Sequence, residues 1–192
     1  DALPISNNDI VDDIEAVLRP MAGMAIAKKF ALHDIVGDVE AWQADLESAV
    51  LLLNETEFRD IQIIGTYAFD DGTWLWAWGN QGSDFAENIV RDSFALQRYG
   101  KENGIAWLTE RTFGLEQDDV EAVAAVAVGI GQADGYYLAF HDAGIAVFAL
   151  RDTRLKQALA AENPARATVV IPKMVATFVL YRQHEAVAEY LR

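Results

Sequence analysis

Cysteine is absent from the 192 residues of this chain. Its absence excludes disulfides, thiolate nucleophiles, zinc fingers and iron–sulfur sites together. Lysine and arginine are scarce as well, because 15 of them face 30 aspartates and glutamates and leave a formal net charge of −15. Such a charge repels nucleic-acid phosphates and anionic membranes, so we expect no nucleic-acid partner and no membrane partner. Two interpretations of the acidity stay open, namely solubility and a surface for a basic partner.

Long apolar segments are missing too. The two longest, near 122–131 and 169–181, are too short for a membrane span or contain a lysine. The hydrophobic fraction of 52% is ordinary for a globular protein, and 192 residues are enough to bury a substantial core. No linker or low-complexity run divides the chain, which predicts one domain over 1–192 with an N-terminal helical segment over 1–37. We expect this protein to be cytoplasmic.

Residue types that often ligate metals or catalyse reactions occur here without the required spacing. The loop 32–40 holds one histidine and three carboxylates, yet it matches neither an EF-hand nor a zinc site. The motif H-E-x-x-H fails because the residue four places after His184 is Ala188. The glycines of 129–135 lack the G-K-[ST] of a P-loop, and no G-x-S-x-G supplies a nucleophile for His141. We therefore expect no metal, no cofactor and no catalytic residue.

Four segments have apolar residues at helical spacing or helix boundary signals. Over 8–32, Pro20 predicts either a kink or the start of a second helix. Residues 83–104 predict a helix that is capped by Ser83 or the following aspartate and ends at a glycine. Residues 116–130 predict a helix with its acids in the first turn, where the helix dipole favours them. The segment 152–164 predicts a short helix.

Strand patterns fall into two groups. The segments 41–53, 58–69 and 73–79 predict an antiparallel meander, and 135–150 predicts a second hairpin. Residues 164–181 fit a strand because of their β-branched content, or a helix with a proline in its first turn. Together the patterns predict an α+β fold in which this antiparallel sheet packs against several helices in a single domain.

Three of the five tryptophans, Trp74, Trp76 and Trp78, occupy alternate positions of one predicted strand. Alternate residues share a face, so the hairpin carries an aromatic slab. One interpretation is a sheet face packed under helices. The other is an apolar cleft or partner surface, with Asn80 as a polar rim.

The turn sequence Asp71–Gly72 determines the expected register of this hairpin. A two-residue turn would place Phe69 opposite Trp74, with Tyr67 and Gly65 opposite the next two tryptophans. The third tryptophan would then lie over a glycine, which leaves room for an indole.

The segment Thr73–Asn80, T-W-L-W-A-W-G-N, resembles the signature of a bacterial family of uncharacterised proteins, a domain of unknown function. The strand 64–66, which carries a glycine, is similar to that pattern, as are looser flanks at 42–53, 104–109 and 184–191. The resemblance implies a bacterial, cytoplasmic protein with an α+β arrangement. It implies no particular activity.

These patterns favour a non-enzymatic binding or protein-interaction domain. Its partner is expected to be a protein or a small molecule, and a homodimer is left open. The alternative is a small-molecule-binding domain or a hydrolase with Trp74, Trp76, Trp78 and Asn80 at a cleft. We expect helices to cover most of the slab and any functional surface to lie at its Trp78–Asn80 end.

Overall fold

The computed structural model describes residues 7–83, 85–161, 166–178, 180 and 183–191. The helices within these residues are α1 (Asn7–Leu18), α2 (Ala22–Val36), α3 (Glu87–Asn103), α4 (Val120–Ile130), α5 (Thr153–Ala160), α6 (Arg166–Thr177) and α7 (Gln183–Tyr190). The strands are β1 (Trp42–Asp45), β2 (Val50–Leu53), β3 (Thr56–Arg59), β4 (Gln62–Ala68), β5 (Thr73–Trp76), β6 (Thr112–Gly114), β7 (Gly135–His141) and β8 (Gly144–Leu150).

Helix boundaries follow the local signals closely. Pro20 lies between α1 and α2, so a second helix begins after it. Gly104 ends α3 in the left-handed region, with φ of 67°, as a glycine after a helix commonly does. The start of α3 was predicted wrongly, because Ala86 is its N-cap; Asp84 lies outside the described residues.

Most of the described part of the ambiguous segment 164–181 is helical, because α6 covers Arg166–Thr177. Helix α6 contains Pro172 in its interior, seven residues into the twelve-residue helix, and not in its first turn. The buried residues Val170 and Met174 are four apart, which is the spacing of one helix face. Tertiary burial of this face therefore outweighs the strand propensity of the β-branched residues.

The predicted antiparallel pairing of 58–69 with 73–79 is confirmed as β4–β5, but the first two predicted strands are each divided, so the predicted meander is not one sheet. Strands β1, β2 and β3 form a separate antiparallel sheet in that order. The division falls at Ala49 and Asp60, whose φ angles of 53° and 54° take the backbone out of the extended region. The Asp45 carboxylate accepts hydrogen bonds from the backbone N–H groups of the next turn, which helps to end β1.

The second sheet has five antiparallel strands in the order β6-β5-β4-β8-β7. It joins two hairpins, β4–β5 and β7–β8, through the pairing of β4 with β8. The predicted hairpin over 135–150 is confirmed, and β7 is an edge strand. A bulge between Ile63 and Gly65 places Ile64 and Tyr67 in the same core cluster.

The predicted register of the β4–β5 hairpin is wrong by two residues. The connection is four residues long, Phe69–Gly72, and Gly72 has φ of 65° and donates its N–H to the Ala68 carbonyl at 3.1 Å. Tyr67 consequently lies opposite Trp74, and Gly65 lies opposite Trp76.

The side chain of Asp71 explains this longer connection. Its Oδ1 accepts hydrogen bonds from the Thr73 backbone N–H at 3.1 Å and from the Thr73 hydroxyl at 2.6 Å. An aspartate that bonds the backbone two residues further on builds its own local turn. The strand begins only after this turn and ends at Trp76, so Trp78 lies outside it.

The five-stranded sheet is covered on both faces. One face contributes Trp74, Trp76 and Val147 to a core cluster that includes the apolar side of α4. The other face contributes Phe148 and Leu150 to a cluster with residues of the small sheet and of α3. The architecture is an α+β fold, as predicted; the assignment of 1–192 to one domain stays a prediction.

Candidate binding site

The tryptophan slab is part of the core. Trp74 and Trp76 have no exposed surface. The Trp76 indole stacks on Trp107 with ring centroids 5.9 Å apart, and its Nε1 donates to the Trp107 carbonyl at 3.1 Å. Phe113 lies against both rings, at 6.3 and 6.1 Å. The packed interpretation is therefore confirmed for these two tryptophans.

A glycine does make room for an indole, but the indole is that of Trp74. A Cβ atom on Gly65 would lie 2.5 Å from Trp74 Cζ2 and 2.6 Å from the Leu75 carbonyl oxygen. Both distances are shorter than any van der Waals contact allows. The side chain of residue 65 must be absent for the two strands and the indole to pack.

Trp78 and Asn80 lie just beyond β5, in a 3-10 helix over Ala77–Gly79 and the residue after it. Both are half-buried, and the Trp78 backbone N–H donates to the Ser93 hydroxyl at 3.1 Å. Asn80 Oδ1 accepts from the Gly82 N–H at 3.2 Å, which is a local turn contact. The Trp78 Nε1 is buried, and the described residues provide it with no hydrogen-bond partner. A binding role at this end stays a prediction.

Two adjoining cavities lie elsewhere, beside strand β7. The first, of about 260 Å³, lies between β7 and the C-terminal half of α2. The second, of about 510 Å³, lies between β7, the start of α4 and the end of α6. They share Glu121, Leu138 and Phe140. We call the two cavities together the β7 groove.

The geometry of an edge strand creates the apolar part of this groove. Tyr136, Leu138 and Phe140 are alternate residues of β7 and project to one face. Tyr136 is 1% exposed, whereas Phe140 at the other end of the strand is 53% exposed. The Phe140 carbonyl accepts a hydrogen bond from Trp42 Nε1 at 3.0 Å, which fixes the backbone beneath the exposed ring. An aromatic ring is therefore held at the surface by ordered structure.

A carboxylate lies at the centre of the groove. Glu121 Oε1 accepts from Lys29 Nζ at 2.6 Å and from the Tyr136 hydroxyl at 3.1 Å. Burial, and then the Glu121 charge, raises the pKa of Tyr136 well above its usual range, so this hydroxyl remains a donor. Both contacts use one oxygen of Glu121. Its second oxygen makes no hydrogen bond within the described part of the chain.

The larger cavity has an acidic end, formed by Asp118 and Asp119 before α4. Burial raises the pKa of Asp119, and the nearby charges of Asp118 and Glu116 add to the effect. Asp119 occupies the N-cap position of α4 but makes no side-chain cap hydrogen bond. Lys173 of α6 lies on the opposite wall. These carboxylates are not used in capping, and a cation beside them would relieve their mutual repulsion.

The histidines considered for chemistry lie apart from one another. His141 is exposed at the end of β7, and its Nδ1 accepts from the Ala143 N–H at 3.3 Å. His184 is exposed on α7. His33 lines the smaller cavity and lies 3.4 Å from an Asp38 oxygen. Among the described residues, no group of three or more His, Asp or Glu side chains could hold a metal ion.

Sequence reasoning did not find the β7 groove. The alternation of Tyr136, Leu138 and Phe140 was read as an ordinary hairpin, because a buried face and an exposed apolar face have the same period. The sequence feature that belongs to the groove is the acidic run Asp118–Asp119 before α4. Its position beside β7 follows only from the packing of α4 against the sheet.

The fold and this groove define an α+β protein with a concave, largely apolar surface next to an acidic one. The family model for DUF6882, a family of unknown function, matches residues 15–153, which is well over half of the chain. The chain belongs to this family. The match begins in α1, whose sequence is not distinctive, and ends at the start of α5, before the C-terminal flank of the resemblance.

Comparison with curated proteins and with solved structures gives no match. Within the part of the chain that the structure describes, no helix has the length and hydrophobicity needed to cross a membrane.

Proposed function

We propose that this protein is a non-enzymatic binding domain and that the β7 groove is its binding site. The observation that carries the proposal is the exposed ring of Phe140 between two adjoining cavities. Concave apolar surfaces with a few convergent polar groups are the usual form of binding sites. The groove has Glu121 and Lys29 as such groups.

The exposed ring is a substantial source of binding free energy. A fully buried aromatic side chain removes roughly 150–250 Å² from water, so a partner covering the half of Phe140 that is exposed removes roughly 100 Å². At about 25 cal/mol per Å², this contact contributes about 2.5 kcal/mol before the costs of association. A contribution of this size to the binding free energy is typical of an interface hot spot.

The polar groups of the groove support binding better than catalysis. Glu121 already accepts two hydrogen bonds at one oxygen, and the hydroxyl of Tyr136 is held as a donor by that carboxylate. A hydrolase needs a nucleophile within hydrogen-bond reach of a base. The one hydroxyl beside Glu121 in the described lining is that of Tyr136, and its raised pKa keeps it protonated and therefore a poor nucleophile. These groups favour binding over reaction.

A small molecule is the second candidate for the same groove. The cavity volumes of about 260 and 510 Å³ are close to those of small-ligand sites, which measure ~300–1,000 Å³. The Trp78–Asn80 end of the aromatic slab remains a separate proposal for a contact surface, supported by the half-buried position of both side chains just beyond β5.

An NMR titration with three aromatic probes tests the proposed site. We expect benzyl alcohol, benzylamine and benzoate to differ in affinity, while any that bind shift the methyl resonances of Leu138 and Ala122. Phe140→Ser should remove these shifts. Phe94→Ser is the matched control, because Phe94 is equally exposed at 50% but lies on α3. Shifts that survive Phe140→Ser, or that fall equally in both variants, would contradict the assignment of the site.

A further inference from the structure

We propose that the partner of the β7 groove is a protein segment in which a large apolar side chain is flanked by lysine or arginine residues. This inference rests on the proposed binding function and specifies its partner. The charge and the shape of the groove both favour a basic segment as the partner.

The first argument is the distribution of charge along the groove. Among the residues that the structure describes, its lining carries three carboxylates, Asp118, Asp119 and Glu121, and two lysines, Lys29 and Lys173. Lys29 lies 2.6 Å from Glu121 and is already neutralised by it. Two aspartates then face a single lysine.

The field of the whole molecule has the same sign. The chain has a formal net charge of −15, which attracts a cationic segment from a distance and repels an anionic one. Burial and neighbouring charges raise the pKa of Asp119 at the acidic end. A lysine or arginine placed there would favour the ionised carboxylate, so binding and electrostatic relief are coupled.

The second argument is shape. The two cavities share Glu121, Leu138 and Phe140 in their linings and therefore lie next to each other along β7. The smaller cavity is lined by apolar residues of α2 and β7, among them Leu32 and Val36. A compact small molecule would fill one cavity, whereas an extended chain places an apolar side chain on Phe140 and a cation beside the aspartates.

Binding of four acetylated and amidated peptides to the full chain tests this inference. Their sequences are Lys-Lys-Phe-Lys-Lys, Ser-Ser-Phe-Ser-Ser, Glu-Glu-Phe-Glu-Glu and Lys-Lys-Ser-Lys-Lys, which separate charge from apolar contact. At low ionic strength we expect the first to bind about tenfold more tightly than the second, with the advantage falling as salt is added. Loss of the phenylalanine should weaken binding, and the acidic peptide should not bind.

Variants locate the charge effect. Asp118→Asn combined with Asp119→Asn should weaken the basic peptide about 3- to 10-fold and leave the neutral phenylalanine peptide unchanged. Glu87→Gln combined with Glu102→Gln is the matched control, because it removes two exposed carboxylates from α3 and should leave both affinities close to those of the parent.

The outcomes separate this inference from the proposed function. If the neutral peptide binds the groove as tightly as the basic one, the partner class is overturned and the binding site stands. If all peptides fail while an aromatic probe still shifts Leu138, the site again stands without this partner. Nuclear Overhauser contacts from the chain's own termini, or from a second copy, to Phe140 in the free protein would overturn the inference, because the groove would already be occupied.

Discussion

Gly65 provides the sharpest test of how this sheet is built. Substitution Gly65→Ala adds one methyl group, whose carbon would lie 2.5 Å from Trp74 Cζ2 and 2.6 Å from the Leu75 carbonyl oxygen. Trp74 cannot withdraw freely, because it has no exposed surface and its ring lies 5.3 Å from that of Trp76. The added carbon must therefore displace a packed indole and the neighbouring strand.

Two effects of opposite sign determine how much Gly65→Ala changes the free energy of unfolding. Overpacking of a well-packed core costs about 1–3 kcal/mol, and backbone atoms in contact place this case toward the upper end. Replacing glycine by alanine also restricts the unfolded chain, which stabilises the protein by about 0.4–1 kcal/mol. We expect a net loss of about 1–2 kcal/mol in the free energy of unfolding. For a chain of this length, the loss corresponds to a fall in Tm of about 2–8 °C.

Urea denaturation, followed by circular dichroism and by tryptophan emission, measures this loss directly. Gly82→Ala is the control with the same chemical change, because a Cβ there would meet only Asn80 Oδ1 at an ordinary 3.6 Å. Its stability should stay within about 0.5 kcal/mol of the parent. A Gly65→Ala protein as stable as the parent would refute the packing of Trp74 over this glycine, and with it the observed register.

A double-mutant cycle separates the indole from the strand. Trp74→Phe removes Cζ2, so Gly65→Ala should cost less in that background, with a coupling of about 1 kcal/mol. Part of the cost should persist because the Leu75 carbonyl oxygen is unaffected by the change.

Two further predictions concern charge. Burial, with Asp118 and Glu116, raises the pKa of Asp119 above its usual 3.8, so the stability due to its neutral form is present below pH 3.8 and is lost as pH rises through the folded pKa. Asp119→Asn should accordingly raise the free energy of unfolding at pH 7 by about 0.5 kcal/mol, a small value because the carboxyl group is half-exposed and screened by solvent. The same substitution should have no effect near pH 3. Urea midpoints measured at both pH values check this. Arg151→Met should lower stability by about 3 kcal/mol, because it removes the close ion pair of the buried Asp92 carboxylate and leaves it the longer contact with the exposed Arg91 at 3.9 Å. Adding Asp92→Asn should restore part of the loss in the same assay. An unchanged midpoint for Arg151→Met would contradict that account.

The parts of the fold that were predictable from sequence are those set by local chemistry. Pro20 separates two helices and Gly104 ends another, because each acts through its own backbone. The hairpin over 135–150 and the burial of the aromatic slab follow from the period of two and from the size of the apolar side chains. The α+β class follows from these elements together.

The register of the tryptophan hairpin was not predictable in the same way. A turn containing Asp71–Gly72 is compatible with a two-residue and with a four-residue connection, since Gly72 has positive φ in either. The hydrogen bonds from Thr73 to the Asp71 carboxylate select the longer one. Likewise, Ala49 breaks a strand through a positive φ angle that alanine does not signal, and Asp60 does so through one that aspartate tolerates but does not require.

The candidate site was missed because exposure is a tertiary property. Phe140 follows Tyr136 and Leu138 at the same period, and nothing local distinguishes the one ring that remains half-exposed from the one that is buried. The difference in exposure between the two rings arises because the pairing of β4 with β8 leaves β7 at the edge of the sheet. Helices α2 and α4 then cover the start of β7 more fully than its end.

The same edge position bears on the proposed binding site. Unprotected edge strands with apolar side chains pair with other chains, and proteins usually blunt them. Here the edge is partly blunted, because Trp42 occupies the Phe140 carbonyl and α2 packs along β7. Phe140 itself lies outside both buried core clusters, and more than half of its surface lies in water. A large apolar side chain held in place on a partly protected edge, between two cavities and near Asp118 and Asp119, is the combination on which the proposed binding site rests.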